Sequence, residues 1–309
     1  MSIRKLSDEL QKVAIEELNE DPKRIPSDLT HIKNWISKQP HIKARTDDQL
    51  LVTFLRGCKF SLERTKEKLD MHYTLKTITP EIYENRDPLL PEIQKVLSVG
   101  PVLPLPMLSH PGGPRVSLAR NSLVKEHNLD LAALFKASAM IQDILLLEDD
   151  NLAVAGTTLL HDMSNLSMTH VLSTVSPSLI KKIMTCVQYG YPNRIKSAAF
   201  FNVNPVFDAV QKIFKPFLTD KVRDRIRICK NLNDLYEVVP KEILPEEYGG
   251  NGGKVEDIVQ HWKSKVESYR DWFLEDAKYG TNEKKRPGKP KTSESIYGLD
   301  GSFRQLSVD

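Results

Sequence analysis

Apolar positions recur every three or four residues over the first eighty residues and again near residue 260. Between these stretches lie short, continuously apolar runs. Leu6, Leu10, Val13, Ala14 and Leu18 form one stripe, which predicts a helix over 5–20 that Pro22 and Pro26 end. Leu29, Ile32, Trp35 and Ile36 mark a second helix over 27–38. Thr46 and Gln49 have capping-box spacing for a third, which runs through Leu50, Leu51, Phe54 and Leu55 to a stop at Gly57. Ser61 caps a fourth, through Leu62, Leu69 and Tyr73. After Pro80 the pattern changes. Residues 86–114 are proline-rich with little periodicity, and Pro114–Arg120 reads as a β segment. A long helix spans 129–147, with Leu131, Leu134, Phe135, Ser138, Ile141, Gln142 and Leu145 along one side. Residues 153–162 read as a strand buried on both faces. Ser176-Pro177 opens a helix through Ile180, Ile183 and Val187. Ala198–Val203 and the RIRIC run at 225–229 read as further strands. A helix over 255–278 follows the glycine cluster at 249–253.

Helices alternating with buried strands predict an α/β layer with parallel pairing. The expected domains are a helical N-terminal region over 1–85, an α/β domain over 86–279 and a basic, disordered tail over 280–309.

Between the last two strands sits a short amphipathic helix. Val206, Phe207, Val210, Ile213 and Phe214 form its apolar stripe, and Asp208, Gln211, Lys212 and Lys215 its polar face. Asn204 suits the N-cap and Pro205 the first helical position, and Pro216 ends the segment. Such a stripe usually means core packing. A segment about ten residues long, bounded by prolines and carrying two phenylalanines, also suits a lid that exchanges an apolar cavity for a lipid surface.

Composition narrows the function classes. The chain has 309 residues, 40% of them hydrophobic, which is enough for a substantial core. Cys58, Cys186 and Cys229 are far apart, which suits free thiols in a reducing compartment. The N-terminus has no apolar signal-like run, and no stretch is long enough to span a membrane. These features predict a cytoplasmic protein. Of the net charge of +3, residues 283–291 hold five basic residues against one acid, so the remainder is close to −1. That excludes the broad basic field of a nucleic-acid binder.

Candidate chemistry is sparse. GxSxG, P-loop and GxGxxG patterns are absent, so no catalytic residue, metal or cofactor is expected. His161, Asp162 and His170 could form a metal or acid–base group, but lack a third ligand at a usable spacing. Asp162 is better read as ordering the following loop. The basic residues say more. Arg194 and Lys196 point to one side of a strand, and Lys221 and Arg225 share a helical face. If the pairs converge they form a pocket for a polyanionic head group. If not, they are two solvated faces.

Several motifs together resemble the CRAL-TRIO lipid-transfer family, in the branch holding tocopherol transfer protein, cellular retinaldehyde-binding protein and the clavesins. They are Asp48-Gln-Leu-Leu-Val-Thr-Phe-Leu-Arg-Gly-Cys-Lys-Phe60, Leu160-His-Asp162 with His170, Tyr191-Pro-Asn-Arg194, Asn202-Val-Asn-Pro205, Lys215-Pro-Phe-Leu218 and Leu244-Pro-Glu-Glu-Tyr-Gly-Gly250. The resemblance covers residues 28 to 275. It implies an all-α N-terminal region on an α/β domain whose mostly parallel sheet floors a lipid cavity under a lid at 205–218. It also implies a phosphoinositide site at Lys59, Arg194, Lys196, Lys221 and Arg225. Two departures stand out. Asp162-Met-Ser-Asn-Leu166 lacks the family's Gly-Trp, and Phe200 and Phe201 replace smaller aliphatics, which would narrow the cavity.

The expected protein is a monomeric, non-enzymatic carrier of one hydrophobic small molecule, such as a retinoid, tocopherol or terpenoid. It would exchange that molecule at phosphoinositide-containing membranes, through transient peripheral association with endosomal or other internal membranes. Phe135, Ser138, Gln142, Leu160, Ile183, Val187 and Phe201 are the expected cavity lining, with Val206, Phe207, Val210 and Ile213 closing it. Ser138 and Gln142 either bond a polar group on the ligand or, for Ser138, bond back to their own helix. The alternative function is a clavesin-type trafficking adaptor whose pocket holds phospholipid.

Overall fold

A computed structural model describes residues 3–165, 167 and 176–298. The N-terminal region holds helices α1 (Asp8–Leu18) and α2 (Ile25–Ser37), the short strand β1 (Ile42–Lys43), and helices α3 (Asp48–Gly57) and α4 (Leu62–Ile78). Its core is the predicted set of apolar stripes, with Ile32, Leu51, Phe54, Leu55 and Leu69 buried together. Ser7 and Ser61 cap α1 and α4 through their side chains. The expected capping box at Thr46 does not form. The N-cap is Asp47, and Gln49 instead accepts a bond from the Arg4 backbone N–H at 2.9 Å. This pins the N-terminal arm to α3.

The proline-rich stretch contains a helix that periodicity did not suggest, α5 (Pro91–Val99). It starts on Pro91 at N1 and stops on Gly100 in the left-handed region, φ +61°. Strands β2 (Val102–Pro104) and β3 (Arg115–Arg120), helix α6 (Leu131–Glu148), strand β4 (Thr157–Asp162), helix α7 (Pro177–Thr185) and strand β5 (Ile195–Phe201) follow. Then come the lid helix α8 (Phe207–Phe214), a single turn α9 (Asp220–Arg223), β6 (Ile226–Ile228) and α10 (Leu232–Val238). The predicted helix over 255–278 breaks at Tyr269 into α11 (Val255–Ser268) and α12 (Arg270–Asp276).

The main sheet has the order β2-β3-β4-β5-β6. β2 is antiparallel to β3, and the other pairs are parallel. From β3 to β6 each crossover moves one strand in the same direction. Right-handed crossovers therefore put α6, α7 and α8 on one face. The other face packs on α10 and α11, where Leu160, Ala199 and Phe201 join Leu235, Val239, Ile258 and Val259 in one buried cluster.

The expected disordered tail is ordered over 280–298. β7 (Gly280–Thr281) pairs antiparallel with β1, and helix α13 (Ser293–Tyr297) carries a capping box at Thr292. Arg286 and Lys291 bond Asp70 of α4 at 2.8 and 2.6 Å, and they hold its carboxyl at about 2 against the opposing effect of burial. Tyr297 is fully buried, with its hydroxyl 2.5 Å from Thr79 Oγ1. The composition is that of a solvated tail. Specific ion pairs and one buried aromatic nevertheless order it.

Candidate functional site: a basic cleft beside an amphipathic lid

The turn between α3 and α4 and the start of β5 meet through one glycine. A Cβ on Gly57 would lie 2.3 Å from the Pro192 carbonyl oxygen and 2.5 Å from Pro192 Cβ, so only glycine permits this approach. It brings the turn that carries Lys59 against the segment that carries Arg194. Lys59 and Phe60 hold consecutive left-handed φ values of 54° and 55°. Two such non-glycine residues in a row cost about 1–3 kcal/mol each, and they re-aim the chain out of α3.

The predicted basic residues converge. Lys221 on α9 has its pKa lowered first by partial burial, then by Arg225, Lys59, Arg194 and Arg64. Lys68 on α4 is lowered by burial and also feels Lys221. Arg64 and Lys68 were missed in the sequence, although they stand four apart on one helical face. Among the described residues no carboxylate pairs with Lys59, Arg64, Lys68, Lys221 or Arg225. Arg225 instead donates to the Ile195 carbonyl.

Arg194 and Lys196 differ from the others. Glu17 of α1 accepts from both at 2.7 Å, and these bonds, Lys196's first, hold its carboxyl below the usual range. Arg194 also donates to the Val154 carbonyl. These two cations are built into the junction between α1 and the sheet, while the remaining five present uncompensated charge.

The lid follows the cleft in space. α8 begins at Phe207, two residues later than predicted. Asn204 turns the chain by accepting from the Val206 N–H at 3.0 Å, and it does not cap the helix itself. Phe207 is buried against Met163, and Val206, Val210, Ile213, Val203 and Phe200 are half-buried around this pair. Phe214 is half-buried outside that cluster. The lid therefore rests on a small cluster separate from the two main cores.

Its C-terminal end is tied to α7. That helix continues as a π-turn over Cys186–Gly190. There Gln188 Nε2 donates to Phe217 O at 2.8 Å, Gln188 Oε1 accepts from Thr219 N at 2.9 Å, and Lys68 Nζ donates to Gln188 O at 3.2 Å. Gln188 thus joins the lid, α7 and one cation of the cleft. A lone polar residue on an apolar helix gave no sign of this role.

The predicted lining divides. Ile183 is buried in the cluster between α6 and α7, with Phe135 and Val187 half-buried against it. Leu160 and Phe201 are corrected. They lie in the cluster with α10 and α11, on the far face from the lid, because alternate strand residues face opposite ways. Their neighbours Leu159, His161 and Phe200 face α8 instead, and Phe200 stands 5.0 Å from Phe207. Ser138 Oγ donates to Leu134 O at 2.8 Å, the back-bonding alternative, and Ser138 lines a narrow crevice with Val96, Leu103 and Trp262. Gln142 Nε2 donates to Asn193 Oδ1 at 3.1 Å. Asp162 accepts from Ser164 N at 3.0 Å, Asn202 Nδ2 at 2.9 Å and Tyr248 Oη at 2.9 Å, so it fixes the end of β4 as expected. His170 and Leu166 lie outside the described residues.

Residues 110–250 match the CRAL/TRIO domain, and residues 21–93 match the Pinta-like UBA domain. Clavesin-1 of Pongo abelii is 30% identical over 247 residues, covering 79% of this chain and 69% of that protein. The chain belongs to the CRAL-TRIO family. Clavesin-2 of Rattus norvegicus is likewise 30% identical, over 79% of this chain and 75% of that one. The Homo sapiens alpha-tocopherol transfer protein-like protein is 28% identical over 88% of this chain and 78% of its own. The CRAL-TRIO fold thus accounts for the five-stranded, mostly parallel sheet with its crossover helices on the lid side. No described helix is long and apolar enough to cross a membrane.

Proposed function

We propose that this CRAL-TRIO protein is a cytoplasmic, non-enzymatic carrier. It holds one hydrophobic small molecule between the sheet and α8, and exchanges it at membranes containing phosphoinositides. The observation that carries this reading is the group of five cations, Lys59, Arg64, Lys68, Lys221 and Arg225, without carboxylate partners beside the C-terminal end of the lid. Like charges held together destabilise a fold unless an anion joins them, and a bisphosphorylated inositol head group brings several charges at once. The lid adds a half-buried apolar stripe resting on few neighbours. A membrane interface offers that stripe an equivalent apolar surface. Ligand burial contributes roughly 25 cal/mol per Å² of apolar area.

Vesicle sedimentation tests the docking step. Lys59→Ala with Lys221→Ala removes two uncompensated cations and leaves the Glu17 junction intact. At about 1 kcal/mol per basic residue near an anionic surface, affinity for phosphatidylinositol bisphosphate vesicles falls roughly thirtyfold. Unchanged affinity would sink the head-group site. Native mass spectrometry of the purified protein tests the cargo. One bound apolar small molecule supports the carrier, whereas phospholipid alone supports a trafficking adaptor.

A further inference from the structure

The C-terminal segment and the end of the lid meet the same turn of backbone. Tyr297 of α13 is fully buried, and its hydroxyl lies 2.5 Å from Thr79 Oγ1 and 3.9 Å from Cys186 Sγ. Cys186 is the first residue of the π-turn that continues α7. Gln188, two residues on, donates to Phe217 O and accepts from Thr219 N, just after the lid. The tail and the lid thus hold the π-turn at positions two residues apart.

Residues 280–298 reach this point along α4. Thr281 N donates to Thr77 Oγ1 at 2.8 Å, beside the pairing of β7 with β1. Arg286 donates to Asp70 and Thr74 at 2.8 and 2.9 Å, and Lys291 donates to Asp70 at 2.6 Å. One carboxylate therefore holds both cations. Glu283 ties them together, accepting from Arg286 Nη2 and from Lys291 N, each at 2.8 Å. The capping box of Thr292 and Ser295 then starts the turn that carries Tyr297. On the α7 side, Lys182 Nζ stands 5.8 Å from the Tyr297 ring centroid. π-turns are rare and often mark functional sites. This one is held from α4 at its far end, where His72 Nδ1 donates to Gly190 O at 2.9 Å. Tyr297 closes its near end.

We propose that residues 280–298 are a latch on the lid: Tyr297, seated against Cys186, keeps the π-turn wound so that Gln188 holds the lid's C-terminal end, and withdrawal of the tail frees that end. An emptied Tyr297 site leaves Cys186 beside a void and removes the packing that fixes the wider turn. Rewinding to α geometry rotates the residues after Cys186 about the helix axis, and Gln188 leaves Phe217 and Thr219. The latch concerns how the lid is held and not what lies beneath it, so it stands apart from the carrier reading.

The test is hydrogen exchange of the full chain, read by mass spectrometry over 186–190, 207–219 and, as a remote control, α2. Tyr297→Ala empties the seat. Lys291→Ala trims a half-buried side chain and weakens the hold on Asp70 without touching the core. The latch predicts exchange about tenfold faster over 186–190 and 207–219 in Tyr297→Ala, and a smaller change of the same kind in Lys291→Ala, with α2 unchanged in both. In a Gln188→Ala background, Tyr297→Ala should add nothing over 207–219, because the link it acts through is already cut. Acceleration confined to 280–298 would overturn the latch, and so would full additivity with Gln188→Ala. If Tyr297→Ala speeds α2 as well, Lys291→Ala decides. Faster exchange over 207–219 with α2 unchanged supports the latch, and unchanged exchange over 207–219 overturns it.

Discussion

Single residues set the geometry of the cleft. Gly57 lets the α3–α4 turn rest on Pro192, and the contact is with backbone, which cannot swing aside. Gly57→Ala is therefore expected to lose about 1–3 kcal/mol in urea unfolding and to weaken phosphoinositide binding by parting the turn that carries Lys59 from the segment that carries Arg194. Denaturation with parallel vesicle binding checks both effects. Two histidines set a pH dependence. Burial holds His72 at about 3, with Lys76 adding to the shift, and holds His161 at about 4. Both values lie below the ordinary 6.5 or so, so the unfolded chain takes up protons first. Stability is full above pH 6.5 and falls as pH drops toward 4. The limiting slope is about 1.4 kcal/mol per pH unit for each histidine. Asp70, held at about 2, adds its loss only below the ordinary carboxylate range. Urea unfolding between pH 7 and 4.5 should show a shallower slope for His161→Phe than for wild type.

At the scale of elements, what the chain revealed depended on the range of the interaction. Helix stripes and the caps at Ser61 and Ser176 depend on neighbours three or four residues away, and they were legible. The lid stripe was legible for the same reason. Strand facing was not. β4 and β5 are apolar on both faces, so alternation gives no mark, and Leu160 and Phe201 were assigned to the wrong side. The missing signal was topological, since consecutive right-handed crossovers place the lid on the Leu159–His161–Phe200 face. The tail misled in the opposite direction. Its lysines and glycines read as solvated, while Arg286, Lys291 and Tyr297 anchor it to α4 and α7. Ending the chain at residue 279 should lower unfolding stability by at least about 2 kcal/mol, since burial of Tyr297 alone contributes that order. Unchanged urea midpoints would show the docking to be energetically idle. Gln188→Ala removes both side-chain bonds to 217–219, so hydrogen exchange over 207–219 should speed relative to wild type.

Over the whole molecule, the cleft exists only because distant parts meet. Lys59, Arg64 and Lys68 come from the N-terminal helices, and Lys221 and Arg225 from the segment after the lid. Glu17 secures the junction through Arg194 and Lys196. Lys221 with Arg225, Arg194 with Lys196, and Arg64 with Lys68 could each be read locally as a pair. The convergence required the fold. Gln188 then links one cation of this cleft, Lys68, to the segment just after the lid, at Phe217 and Thr219. The most direct test of the carrier account is the rate at which the protein, loaded with its own cargo, discharges it to acceptor vesicles. Acceptors with and without phosphatidylinositol bisphosphate are compared at equal total negative charge. The account predicts faster discharge to the phosphoinositide vesicles for wild type, and equal rates on both for Lys59→Ala with Lys221→Ala. Equal rates for wild type on the two kinds of vesicle would contradict it.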